Sequence, residues 1–138
     1  MKSLLEQLRG LDQLTSHRLG GAAVQLHPIP GTVEVIQVCI ERRDELPIYV
    51  TGSDSQLLCM CYLWTEQDVR PERRTELLET LLDLNPSVPL SSFGRIGQHY
   101  VLLGALSRQA RAEDVAEDVA MLSDNALDAL DAMSEFLK

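Results

Sequence analysis

The sequence predicts an α+β protein in which one antiparallel sheet of about five strands is flanked by helices, in the order α-β-β-β-α-β-β-α. Apolar residues recur every three or four positions in three separate segments, which is typical of amphipathic helices. Between these segments lie runs rich in Val, Ile and Leu that are bounded by Gly, Pro, Ser and Asp, which is typical of strands and turns. A chain of 138 residues has the size of one domain, so we expect a single domain over residues 1–138.

The first segment predicts a helix that ends at or before position 20, where two glycines follow one another. Its apolar face consists of Leu4, Leu5, Leu8, Leu11 and Leu14. A short strand over 24–26 fits the residues that come next. Pro28 and Pro30 cannot donate hydrogen bonds to a β-ladder, so we expect 27–31 to be a turn-rich connection.

Three β-rich runs follow, over 33–41, 46–51 and 56–64. The third run is apolar on both faces, which is typical of a central strand that a helix covers on at least one side. Strict alternation along this run puts Tyr62 and Trp64 on the same face.

The second half of the chain predicts a helix, a hairpin and a final helix. Pro71 suits the first turn of a helix that runs to about Leu84, where Asn85 and Pro86 stop it. Strands over 91–96 and 99–106 are joined at Gly97–Gln98, a pair that suits a tight turn. The last helix spans roughly 112–137, with the apolar stripe Val115, Val119, Leu122, Ala126, Leu130, Met133 and Leu137.

The formal net charge of −9 disfavours binding to nucleic acids and to anionic membranes, because both carry negative charge. A basic or amphipathic protein partner fits better, although acidity that only keeps the chain soluble fits equally well. Glu6 and Arg9 interrupt the apolar N-terminus, so it does not predict a signal peptide. No apolar run approaches the ~18 residues of a membrane span. We therefore expect a cytoplasmic protein without direct membrane insertion.

The three cysteines, Cys39, Cys59 and Cys61, lie in apolar runs that are typical of strands. Cys59 and Cys61 point to one face because they are two positions apart. The main interpretation is core packing, since buried free cysteine behaves as a small apolar residue. The alternative is a thiol or metal site completed by His27, although the spacing does not match a zinc-finger pattern.

No catalytic, cofactor-binding or metal-ligating residue is predicted. The histidines lack neighbours with triad-like spacing, and neither a nucleophile elbow nor a His-Glu-x-x-His run is present. Gly94 and Gly97 precede a strand instead of a helix, so they favour hairpin geometry over a phosphate-binding loop.

Candidate partner-binding residues are Trp64, Arg95 and acids of the last helix, above all Asp124, Asp128 and Asp131. For Trp64, at a strand end, the main interpretation is core packing, and the alternative is an exposed anchor for a partner. Arg95 is expected to pair with an acid of the last helix or to contact a partner. The acidic residues of this helix lack basic partners at i,i+4 and are predicted to form a solvated face or a docking surface. They are Glu113, Asp114, Glu117, Asp118, Asp124, Asp128, Asp131 and Glu135.

Several stretches resemble the YjfI family of small, uncharacterised bacterial cytoplasmic proteins. They are 77–85, Ser92-Phe93-Gly94-Arg95, Tyr100-Val101-Leu102, Ala105-Leu106-Ser107, Glu113-Asp114-Val115 and 122–127. Genes of that family often lie beside one for a phage-shock-protein-A-like membrane-stress protein. The resemblance therefore implies an accessory of an envelope-stress system, and it transfers no catalytic residues.

The order of elements also resembles the fold of type III secretion chaperones, and the end of the middle helix, Leu81-Leu82-Asp83-Leu84-Asn85, is similar to the corresponding helix there. That resemblance implies a small, acidic homodimer that binds an extended segment of another protein. The expected function is therefore non-enzymatic partner binding without a cofactor. The alternative is a thiol- or metal-binding protein that uses Cys39, Cys59 and Cys61.

Overall fold

A computed structural model describes residues 2–138 and contains four α-helices and one six-stranded antiparallel sheet. The helices are α1 (Leu4–Gln7), α2 (Leu11–Arg18), α3 (Arg74–Leu84) and α4 (Ala112–Ala132). The strands are β1 (Val24–Ile29), β2 (Val35–Ile40), β3 (Ile48–Gly52), β4 (Gln56–Thr65), β5 (Ser92–Ile96) and β6 (His99–Ser107). The strands lie side by side in the order β1-β2-β3-β4-β6-β5, so the α+β class is confirmed and β4 is central as predicted.

The sheet has six strands instead of about five, because β1 runs through Pro28. Pro28 is paired in register with Ile36 of β2, and β1 is an edge strand of the sheet that residues 2–138 form. An edge strand tolerates proline because the missing N–H can face away from the ladder. The predicted turn-rich connection over 27–31 is therefore wrong for its first three residues.

The predicted first helix is divided in two at Gly10. This glycine has φ = +87°, a left-handed conformation that interrupts a right-handed helix. Leu4, Leu8 and Leu11 are buried and Leu14 packs against the core, whereas Leu5, predicted on the same face, is 44% exposed. α4 ends at Ala132, and a 3₁₀ turn over Ser134–Phe136 follows it.

The helices pack against one face of the sheet, which we call the covered face. Ile36, Val38, Val50, Leu57 and Leu102 of the strands are buried there against α1, α2 and α4. A second apolar cluster lies beneath α3, where Trp64 and Tyr100 of the sheet contact Leu77, Leu81, Met133 and Phe136. Within residues 2–138, every helix is too short or too polar to cross a bilayer.

Candidate protein-binding surfaces

The exposed side of α4 carries three of the predicted acids around one leucine. Asp124, Leu127, Asp128 and Asp131 are spaced by three and four residues, which places them on the same side of the helix. All four are exposed, and Leu127 is 40% accessible. An apolar side chain surrounded by carboxylates presents both hydrophobic and negative recognition to the solvent.

Two acids of α4 and one of the 3₁₀ turn that follows it are paired by arginines from distant parts of the chain, which sequence spacing does not reveal. Arg18 lies 3.8 Å from Glu117, Arg43 lies 2.9 Å from Asp124, and Arg73 lies 3.3 Å from Glu135. Within the described chain, residues 2–138, Asp128 and Asp131 form no ion pair. These two carboxylates are therefore the ones that remain available to a cationic partner.

A groove of about 210 Å³ lies beside this part of α4. Its lining includes Leu84, Val88, Pro89, Phe93, Asn125, Asp128 and Met133. The Asn125 side chain donates hydrogen bonds to the carbonyl of Pro89 at 2.9 Å and to the hydroxyl of Ser91 at 3.1 Å. These bonds hold the loop between α3 and β5 against α4. We call the groove, together with Leu127, Asp128 and Asp131, the acidic groove.

Leu90 is the most unusual residue of that loop. Its φ is +62°, in the left-handed region that costs a non-glycine residue about 1–2 kcal/mol. Its side chain is nevertheless 52% exposed, so burial of the leucine does not compensate for the strain. Exposed apolar residues held in strained loops are frequent at binding sites.

Trp64 is buried, so it is not available as an exposed anchor. The strand register shifts between Tyr62 and Trp64, where Leu63 is an extra residue opposite β6. This bulge turns Trp64 to the covered face, where its ring stacks on Tyr100 at 5.7 Å between centroids and remains 5% exposed. The prediction that Trp64 and Tyr62 share a face is wrong for this reason.

Arg95 pairs with Glu66, not with an acid of the last helix. Its guanidinium lies 2.9 Å from the Glu66 carboxylate, which also accepts hydrogen bonds from Arg74 and from the Tyr100 hydroxyl. The hydrogen bond from Arg74 is the main reason that the pKa of Glu66 is lowered. Arg95 therefore closes a polar cluster at the end of the sheet, although 38% of its side chain stays accessible.

The three cysteines are divided between the two faces of the sheet. Cys59 and Cys61 point to the covered face and are buried, whereas Cys39 alternates with Val38 and Ile40 and points away from the helices. Burial raises the pKa of Cys61 to about 12 and raises that of Cys59 well above its usual value. Across residues 2–138, no group of three or more His, Cys, Asp or Glu side chains is arranged to hold a metal ion.

Asp118 is buried, contrary to its predicted place on the acidic side of α4. It is 5% exposed and lies against Gly104 of β6, where an added Cβ would come within 2.9 Å of the carboxyl carbon. No group within residues 2–138 donates a hydrogen bond to its Oδ2 atom. Burial raises the pKa of Asp118 to about 6. The sequence did contain a signal, since Asp118 lies three residues after Val115 and four before Leu122 on the apolar stripe.

The other side of the sheet, which we call the open face, faces away from the helices. Its positions alternate with the core positions along each strand. Its apolar members are absent from both helix-packed clusters. They are Ile29, Val35, Cys39, Tyr49, Leu58, Met60, Tyr62, Ile96, Val101, Leu103 and Ala105.

The polar members of the open face carry no charge when the histidine side chains are neutral. They are Gln25, His27, Gln37, Thr51, Gln56, Thr65, Ser92, His99 and Ser107. The chain has 12 Lys and Arg and 21 Asp and Glu residues, and none of them occupies these strand positions. An exposed side of an antiparallel sheet is normally polar and charged, so this surface is atypical.

A row of contacting side chains crosses the open face. The Gln37 side chain donates a hydrogen bond to the Tyr49 hydroxyl at 3.2 Å. Tyr49 meets Tyr62 edge to face with 5.9 Å between ring centroids, and Tyr62 meets His99 in the same way at 5.2 Å. The row links β2, β3, β4 and β6, and a hollow of about 420 Å³ lies at its end beside Ile96. Sequence reasoning missed this surface, although the apolar character of both faces of β4 was its signal.

The chain belongs to the DUF2170 family, described as an uncharacterized protein conserved in bacteria, because the family profile matches residues 2–137. No curated protein matches the sequence.

Proposed function

We propose that this chain is a non-enzymatic, homodimeric adaptor of the bacterial cytosol that binds a basic or amphipathic segment of another protein. The observation that carries this proposal is the acidic groove, where the exposed Leu127 and the apolar lining lie beside two carboxylates without ion pairs. Apolar contacts supply affinity, whereas unpaired acids select and steer a cationic partner.

The geometry of the groove suits an amphipathic segment. Leu84, Val88 and Phe93 line one side, so an apolar residue of the partner would pack there. Asp128 and Asp131 lie on the adjacent surface of α4 and would pair with Lys or Arg residues on the polar side of the same segment. Leu90 on the tethered loop adds an accessible apolar contact.

The finer assignment follows from the resemblance to the YjfI family. We propose that the partner is a phage-shock-protein-A-like membrane-stress protein and that the chain is an accessory of that envelope-stress system. A chaperone-like mode, in which an extended or helical segment of the partner is held, rests on the resemblance in the predicted order of elements. The observed order adds β1 and a divided first helix to it. Fold alone does not define function, so the acidic groove carries the proposal.

The test is affinity capture from the native cytosol, followed by direct titration with the purified phage-shock-protein-A-like protein of the same organism. The titration compares the wild-type chain with Asp128→Lys/Asp131→Lys. We expect charge reversal to weaken binding by roughly 10-fold or more, and a rise in salt concentration to weaken wild-type binding, because both remove attraction between exposed charges.

The matched control is Glu72→Lys/Glu79→Lys, which changes the net charge equally at exposed positions on and before α3. Binding by this control should stay close to the wild type. Equal losses in both double variants would show a response to net charge alone. No binding of the membrane-stress protein would refute the finer assignment, and capture of any partner that is insensitive to Asp128 and Asp131 would refute the groove.

A further inference from the structure

We infer that the open face of the sheet is the interface between two copies of this chain. The inference rests on the homodimeric state proposed above and assigns it a surface. It starts from the position of the helices, since α1, α2, α3 and α4 pack against the covered face. No second layer built from residues 2–138 covers the opposite side of the strands.

The composition of the open face is that of a surface that becomes buried. Tyr62 is 36% exposed and Ile96 is 41% exposed, and both line one hollow with Tyr49 and His99. Met60 and Leu103 are paired across β4 and β6 on the same face. Aromatic residues and methionine are enriched at protein interfaces, and charged residues are depleted from interface centres. The open face shows both features although a quarter of the chain, 24%, is charged.

Charge argues that the occupant is a second copy. Each copy carries a net charge of −9, so two copies repel one another wherever acids face acids. Association is therefore favoured at a surface with few acids. The strand positions of the open face carry no Asp or Glu, and Glu45 lines the hollow at its edge. A basic partner gains nothing from this neutral surface, because Asp128 and Asp131 attract it to the acidic groove instead.

The size of the open face agrees with this assignment. Six strands spaced about 4.8 Å apart span roughly 24 Å, and strands of this length run roughly 20 Å, which gives about 500 Å² per copy. Two copies stacked face to face would bury about 1,000 Å², without the additional area of the side chains that protrude from the sheet. This area reaches the lower limit for a stable interface. Sheets commonly stack in this way about 10 Å apart.

The experiment is sedimentation equilibrium of the full chain over a wide range of concentration. We expect the wild type to associate to twice its mass of 15.4 kDa. Tyr62→Glu and Ile96→Glu, tested separately, should raise the dissociation constant by roughly 100-fold or more, because each buries an unpaired charge in the dimer. Both positions are accessible in the single chain, so the new carboxylate stays hydrated there. Leu82→Glu, at a 69% exposed position on α3, is the control and should leave association unchanged.

A second measurement uses the wild type and does not depend on the folding of any variant. Cys39 lies on the open face, so its rate of alkylation should fall as the dimer forms with rising concentration. The inference is overturned if the wild type is monomeric, or if the dimer persists in both variants. It is also overturned if the rate of Cys39 alkylation does not change when the dimer forms. Asp128→Lys/Asp131→Lys should remain dimeric, so failure of the groove and failure of the interface are distinguishable.

Discussion

The covered face and the open face are built from alternate residues of the same six strands, yet they differ in the ionisable side chains that lie on them. The covered face is sealed by helices and still holds an ionisable carboxyl group, Asp118, against Gly104. The open face is reached by solvent and carries no charged strand residue. Both faces of the sheet are therefore largely apolar although helices cover only one of them, which is atypical of an antiparallel sheet and agrees with the interface proposed above.

The largest expected difference between the faces comes from two adjacent leucines of β6. Leu102 is fully buried on the covered face, whereas Leu103 is half-buried on the open face. Leu102→Ala should lower the free energy of unfolding by about 2–5 kcal/mol, because it leaves a cavity in the core. Leu103→Ala should cost about 1 kcal/mol or less at low protein concentration. Urea denaturation measures both, and equal losses would mean that the faces are not energetically distinct.

The next effect concerns Asp118 and pH. Its pKa is about 6 in the folded chain against an ordinary value of 3.8, so the folded state binds the proton more tightly. Stability contributed by this group is therefore present at low pH and is lost as pH rises through the window from about 4 to 6. Asp118→Asn should remove this pH dependence, which amounts to a loss of roughly 3 kcal/mol in the free energy of unfolding across the window.

The measurement is the difference in unfolding free energy between wild type and Asp118→Asn at several pH values. The difference cancels the opposite contribution of carboxylates such as Glu66, whose pKa is lowered. Burial of the asparagine amide costs the same free energy at every pH. It therefore shifts the difference in unfolding free energy without changing how that difference depends on pH. Asp128→Asn, at an exposed position, is the control. A difference that does not change between pH 4 and 6 would contradict a buried, protonatable Asp118.

The smallest effect compares two glycines. An alanine at Gly104 would overlap the Asp118 carboxyl group on the covered face. An alanine at Gly94 on the open face would meet the ends of the Leu103 and Val101 side chains, at 3.1 Å and 3.9 Å. Gly104→Ala should destabilise by about 1–3 kcal/mol through overpacking. Gly94→Ala should be near neutral, because alanine also restricts the unfolded chain. Thermal unfolding of both variants measures these changes in stability. If Gly104→Ala does not lower the stability, Asp118 can move away from the added methyl group.

The elements that follow simple periodicity could be predicted from the sequence. The structure confirms the hairpin at Gly97 and the central position of β4. It also confirms that Cys59 and Cys61 point to the same face of the sheet. The errors come from single residues that break a period: the left-handed Gly10 divides a helix, and the bulge at Leu63 moves Trp64 to the other face. A glycine permits such a break without requiring it, and the position of a bulge depends on pairing between strands, which spacing along one chain does not encode.

The candidate surfaces could be predicted only in part. The acids of α4 and of the turn after it were visible, but their division into paired and unpaired residues required Arg18, Arg43 and Arg73, which reach them from other elements. The open face required knowing which side the helices cover. Alternation alone predicts two faces and does not say which one is left without a layer.

The position of β4 beside β6 has a consequence for synthesis of the chain. β4 ends at Thr65 and β6 begins at His99, so α3 and β5 must be made before the central pair of the sheet can close. At about 5–20 residues per second, a ribosome needs seconds for this interval. During that time a long apolar strand has one unpaired edge, which is a template for aggregation. The growing chain is therefore most vulnerable midway through translation, when the strands of its first half are complete and their last neighbour does not yet exist.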